Sequence, residues 1–227
     1  MRNIYVLFLL SLMISSLQLS AKNSSIGFRL GGGLTEYSTS NGYYTQEMNT
    51  DLFSVYFKFY SPDKNHGHNF VFASRNDEIQ FTNIAPFYNT ETNSMDVFNG
   101  NGKLNRKSLR MGYEHQFLFG ERPHKFGLGI LIGTFYEVTP KVTRTNEDNE
   151  QEFTLYDEVN RHNLGLNMGI EGYLGMFTMS FRFENLFFDI LDRKHINSLP
   201  LTHNSSAELR GLNFKHGMGV FTIGMQF

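Results

Sequence analysis

Apolar and polar residues alternate along most of this chain. Residues 53 to 60 read Phe-Ser-Val-Tyr-Phe-Lys-Phe-Tyr, so Phe53, Val55, Phe57 and Phe59 share one face and Ser54, Tyr56, Lys58 and Tyr60 share the other. A period of two is the mark of a β-strand with one oily face. The pattern returns at Leu109, Met111, Tyr113, His115, Phe117 and Phe119, then at Phe126, Leu128, Ile130, Ile132, Thr134 and Tyr136. It continues at Leu164, Leu166, Met168, Ile170, Gly172 and Leu174, at Phe177, Met179, Phe181 and Phe183, and at Gly217, Gly219, Phe221, Ile223, Met225 and Phe227. Ile26, Phe28, Leu30 and Leu34 make a glycine-rich first strand. The stretch from Phe70 to about Phe81 is less regular: Ser74, Asn76 and Glu78 interrupt the face begun by Phe70 and Phe72, and a β-bulge is the expected repair. The expectation is an all-β chain of eight strands.

The connections sort by length. Those around 61–68, 120–125 and 175–176 are short, whereas 38–50, 84–103, 139–157 and 189–210 are long and polar, and the two kinds alternate strictly. That layout predicts an eight-stranded antiparallel transmembrane β-barrel, with short periplasmic turns and long extracellular loops. Charge supports the same orientation of the faces. On the six clean strands the oily faces carry no Asp, Glu, Lys or Arg, and the opposite faces carry Lys58, Arg110, Glu114, Glu137, Glu171, Arg182 and Glu184. An Arg or Lys at mid-membrane on the lipid face costs about 2–4 kcal/mol, so charge belongs inside. A soluble ligand-binding barrel of the lipocalin kind would place oil inside and charge outside.

Residues 1–21 read as a signal peptide: Arg2 is the basic start, Ile4 to Ile14 the apolar core, and Leu19-Ser20-Ala21 a small-residue cleavage site. The expected mature domain is therefore residues 22–227, exported to the bacterial outer membrane. No later apolar run reaches the roughly 18–20 residues of a membrane helix. The chain contains no Cys, which excludes disulfides, thiol chemistry and a lipid-modified cysteine. Its formal charge of −2 offers no basic surface for nucleic acid.

The final residues, Phe221-Thr-Ile-Gly-Met-Gln-Phe227, resemble the C-terminal strand signature of Gram-negative outer-membrane proteins. That resemblance implies that Phe221, Ile223, Met225 and Phe227 form an assembly signal read by the barrel-assembly machinery. In size and pattern the chain is similar to the small OmpX-like, OmpA-transmembrane-like and PorT-like eight-stranded barrels, and Gly27 to Gly33 loosely resembles the glycine-rich first strand of the PorT-like group. Phe59, Phe70, Phe119, Phe126, Phe177 and Phe227 fall near the short turns and Tyr37, Tyr113 and Tyr136 toward the long loops, an arrangement that predicts two aromatic girdles.

Adding Arg29 from the first strand gives an expected interior charge network of Arg29, Lys58, Arg110, Glu114, Glu137, Glu171, Arg182 and Glu184. Four basic and four acidic groups in so narrow a barrel have to pair. Arg110, Glu114, Arg182 and Glu184 are expected to join in one such network.

Other chemistry is thinner. His203-Asn-Ser205 has the His-x-Ser spacing of outer-membrane lipid A deacylases, but it lies in a long loop with Glu208 close behind. His66-Gly-His68 with Asp63 could ligate a divalent metal, yet Pro62, Asn65 and Gly67 read as a turn. The acidic run Glu147, Asp148, Glu150 and Glu152 lacks the spacing of a calcium loop, and the Gly-x-Gly pairs at Gly127 and Gly217 sit inside strands rather than in phosphate loops. The reading assigns no catalytic, cofactor or metal residues. It favours a non-enzymatic barrel with a structural, surface-contact or secretion-accessory role. An outer-membrane lipid-modifying or peptide-cleaving enzyme is the alternative, and a narrow pore or transporter the third. Outer-membrane lipid, the assembly machinery and envelope or secretion-complex proteins are the expected partners.

Overall fold

The computed structural model describes residues 24–38, 44–61, 65–89, 94–119, 126–146, 152–155, 157–192, 194–195 and 218–227. Its strands are β1 (Ser24–Ser38), β2 (Tyr44–Tyr60), β3 (His66–Asn89), β4 (Ser94–Phe119), β5 (Phe126–Asn146), β6 (Glu152–Leu155), β7 (His162–Leu174), β8 (Phe177–Leu186) and β9 (Met218–Gln226). Each pairs antiparallel with its neighbours in the order β4-β3-β2-β1-β9-β8-β7-β5, and β4 pairs with β5, which closes the sheet. The result is an eight-stranded barrel. The short β6 pairs with the far end of β5 and is extra to it.

Closure is made by β1 and β9, from Gly27 opposite Gln226 to Leu34 opposite Gly219, and by reciprocal backbone bonds between Ile26 and Phe227. Joining these strands removes the free edges that hydrocarbon would not satisfy. Glycine on the inner face of β1 has a packing cause. A Cβ at Gly27 would lie 2.3 Å from the Tyr56 ring, which crosses the barrel floor there. Gly175 turns the chain between β7 and β8 with φ of 61°, a left-handed conformation that glycine adopts freely.

Over one band the outer face carries the oily residues of all eight barrel strands. Leu128, Ile130, Ile132, Met168, Ile170, Met179, Phe181, Phe221 and Ile223 are all exposed on it. Their neighbours in sequence point inward and are buried, as in the strict alternation along β7 and β8. Phe59, Phe70, Phe119, Phe126, Phe177 and Phe227 are exposed toward the short-turn end.

Three features of the sequence reading change. The stretches 38–50, 84–103 and 139–157 are largely strand, not loop: β2 begins at Tyr44, β3 and β4 pair out to Asn89 and Ser94, β5 runs to Asn146, and β6 follows. In and beside these stretches the outward residues are polar, including Glu47, Asn49 and Asp51, while the inward positions include the apolar Met48, Ile79, Phe81, Leu104 and Val142 next to the polar Thr50 and Arg144. A polar outer face does not end a strand whose inner face and backbone ladder continue.

The second change concerns β3, which has no bulge. It pairs one-to-one with β2 from His68 opposite Phe59 to Thr82 opposite Thr45. Ser74, Asn76 and Glu78 keep the outward phase of Phe70 and Phe72, and the face turns polar because it has left the apolar band. The register shift lies instead between Lys107 and Leu109 where β4 meets β5.

Third, Tyr113 is not near the long connections. Strand stagger sets it opposite Phe70 and Thr134, level with the phenylalanine ring.

Beyond the band the inner face forms an apolar plug. Met48, Leu52, Ile79, Phe81, Leu104, Val142, Leu155 and Met218 pack together with Val159, Ile190 and Leu191. The last three come from the segments before β7 and after β8, which bridge at Val159 and Leu191.

Candidate functional site

The chemistry of this barrel is concentrated in its interior. All eight sequence-selected charges, Arg29, Lys58, Arg110, Glu114, Glu137, Glu171, Arg182 and Glu184, are buried there. Arg75, Asp77 and Arg106 join them. Strand register explains each placement, because all occupy the inward phase of their strands.

Near the short turns, three cations surround two carboxylates. Arg29 Nη2 donates to Glu171 Oε2 at 2.7 Å and Nη1 to Glu114 Oε2 at 3.3 Å. Lys58 Nζ donates to Glu171 Oε1 at 3.0 Å and Gln226 Oε1 at 3.1 Å. Arg182 Nη1 donates to Glu114 Oε1 at 2.6 Å. Asn69, Asn167 and Gln116 add amide donors to the same two carboxylates. The Arg29 guanidinium also lies 4.0 Å from the Tyr56 ring centroid, a cation–π contact.

Farther along the barrel six charges close a ring of alternating sign. Arg75 Nε donates to Asp77 Oδ1 at 2.5 Å, and Arg106 grips Asp77 Oδ2 through Nη2 and through Nε at 2.7 Å. Arg106 Nη1 reaches Glu137 at 2.5 Å, and Glu137 accepts from Arg110 Nε. Arg110 Nη1 reaches Glu184 at 2.5 Å, and Arg75 Nη1 returns to Glu184 at 3.1 Å. Thr50 Oγ1 donates to Asp77 at 2.6 Å. Burial would push the Asp77 carboxyl up, but Arg106 and Arg75 more than offset it and hold the group well below the ordinary carboxylate range.

Arg110, Glu114, Arg182 and Glu184 therefore divide between two networks. Glu114 pairs with Arg182, and Arg110 with Glu184. Between them lies a cavity of 30 Å³ lined in part by Ser54, Arg110, Glu114, Asn167, Arg182 and Glu184. That is room for about one or two waters. Sequence reasoning missed Arg75 and Asp77 because β3 was judged by its broken outer face, although both share the inward phase of Val71 and Ala73.

The other candidates fall elsewhere. His203, Ser205 and Glu208 lie outside the described residues, as do Asp63, Glu147, Asp148 and Glu150, and residues 1–21. Glu152 begins β6, with its carboxylate 3.9 Å from Lys141. His66 and His68 begin β3 rather than forming a turn, and their side chains face outward beside His115. Among the described residues no group of three or more His, Asp or Glu is placed to hold a metal ion. Gly127 and Gly129 are buried in β5 where Tyr173 crosses them; a Cβ on Gly129 would lie 2.4 Å from the Tyr173 hydroxyl.

The chain has the fold of a small outer-membrane-type β-barrel. No family model and no curated protein matches it. Among solved structures, the N-terminal β-barrel domain of Pseudomonas aeruginosa OprF overlaps with a TM-score of 0.36 and 10% identity, covering 90% of this chain and 98% of that one. The translocator domain of the autotransporter NalP from Neisseria meningitidis overlaps with a TM-score of 0.30 and 8% identity, covering 98% and 96%. The assignment of fold rests on the strand pairing itself.

Proposed function

We propose that this protein is a closed, non-enzymatic barrel of the bacterial outer membrane, exported by the leader at residues 1–21, whose projecting strands serve surface contact. One observation carries the reading: the outer face is apolar over a band of every strand while the lumen is filled with paired charges and capped by an apolar plug. A filled lumen conducts poorly, because ions would have to displace hydrogen-bonded Arg and Glu pairs. The β3–β4 hairpin supports the surface-contact role. Its pairing runs to Asn89 and Ser94, past the last partners of β2 at Asn83 and of β5 at Gly102. Among the described residues no strand pairs with the outer edges of 84–89 and 94–101, so the hairpin offers a partner a two-stranded ribbon.

The test combines fractionation with conductance. The mature protein should co-sediment with outer membranes, and in planar bilayers it should give no porin-like steps. Recovery as a soluble periplasmic protein would overturn the location, and steady conductance would overturn the closed barrel in favour of a pore.

A further inference from the structure

The outer face holds a polar cluster that neither the lumen nor the projecting hairpin uses. His66 and His68 leave β3 and Tyr113 and His115 leave β4 on the same side. His66 Nδ1 lies 3.2 Å from His115 Nε2, and His68 Nδ1 lies 2.6 Å from the Tyr113 hydroxyl. The His68 and His115 rings meet edge-on with centroids 5.0 Å apart. Around them are Phe59, Phe70 and Phe117, and His66 is the first residue of β3 beside a short turn. The cluster therefore sits at the girdle of the short-turn end, where hydrocarbon gives way to headgroups.

We propose that His66, His68, His115 and Tyr113 bind the headgroup phosphate of a phospholipid in the leaflet at that end. The inference rests on the membrane-spanning reading above. A neutral imidazole carries one N–H and one bare nitrogen. The His66–His115 contact uses one N–H and one bare nitrogen, whichever ring donates, and leaves one of each. The His68–Tyr113 contact likewise leaves one donor. Two donors thus remain, and acyl chains offer them no acceptor. A phosphate offers acceptors only.

Nothing else described competes for that role. β2 presents Phe57 and Phe59 to the cluster and β5 presents Ile130, Ile132 and Thr134, so no Asp, Glu, Lys or Arg among the described residues faces it.

The experiment measures lipid retention by native mass spectrometry on the whole mature protein in an uncharged detergent. The probes are phosphatidylglycerol, diacylglycerol as chains without phosphate, and inorganic phosphate as phosphate without chains. Wild type should retain phosphatidylglycerol about tenfold over diacylglycerol, the equivalent of one charge-assisted hydrogen bond. H66L/H68L/H115L, which places apolar groups on a lipid-facing surface, should lose that preference while keeping heat-modifiable migration. Tyr113→Phe should fall between, and carries the test should the triple variant not fold. Equal retention by wild type and variants overturns the proposal. Displacement of the lipid by inorganic phosphate alone would make this a free-anion site and overturn the lipid assignment. Wild type fractionating away from membranes would instead overturn the location on which the inference depends.

Discussion

The two ends of this barrel are built from the same strands with opposite polarity. On β2, the outward positions Phe53 and Phe59 are apolar and the inward positions Ser54 and Lys58 are polar; a few residues earlier, outward Asn49 and Asp51 are polar and inward Met48 and Leu52 are apolar. β3 makes the same exchange between Phe72 and Ser74 outside and between Asp77 and Ile79 inside. Strand phase is unbroken through the exchange, so what changes is the solvent. On the membrane-spanning reading proposed above, lipid covers the outside of the apolar band and ion pairs fill the lumen. Beyond the band, water covers the outside and the lumen must hold an ordinary hydrophobic core.

The ion-pair ring lies at the border of the two regimes, and breaking it should have the largest effect. Arg106→Ala leaves Asp77 and Glu137 each short of a partner and should cost about 3–5 kcal/mol in urea unfolding from lipid vesicles. Arg106→Met with Asp77→Leu removes charge from both sides and should recover part of that loss. In the plug, Leu104→Ala should cost about 2–5 kcal/mol, whereas Asn105→Ala, one residue on and facing out, should stay within about 0.5 kcal/mol. The outer faces give a matched pair as well. Ile130→Arg, inside the band, should cost about 2–4 kcal/mol, and Asn49→Arg, outward on β2 beyond it, about 0–1 kcal/mol. Equal costs at the two sites would erase the boundary.

The smallest effect is a pH dependence. Asp77 has a depressed folded value, so its contribution is complete above its unfolded value of about 4 and is lost as pH falls toward the folded one. Wild type should therefore lose urea resistance below about pH 4 more steeply than Asp77→Asn, which starts lower. Parallel curves would mean that the ring does not hold that carboxylate charged.

Much of this was legible because alternation is a local signal. Strand identity, number and facing follow from residues such as Phe53 to Phe59 and Phe177 to Phe183 alone. The extensions were not legible, since Lys103, Asn105 and Lys107 on β4 are polar outside while Arg106 and Ser108 are polar inside, which leaves no contrast to read. The division of charges into two networks was also hidden. It depends on contacts across the lumen, such as Arg29 with Glu171 and Arg75 with Glu184, between residues far apart in sequence. Tyr113 was misplaced because counting from strand ends ignores the stagger of neighbouring strands.

The inversion of polarity as a membrane boundary can be measured directly along β2. The chain has no native Cys, so single-cysteine variants at 47, 49, 51, 53, 55, 57 and 59 can each carry a nitroxide. In vesicles, accessibility to oxygen and to a water-soluble nickel complex should switch between 53 and 51, with 53 to 59 in lipid and 47 to 51 in water. A profile without that switch, with all seven positions in water or all in lipid, would contradict the account.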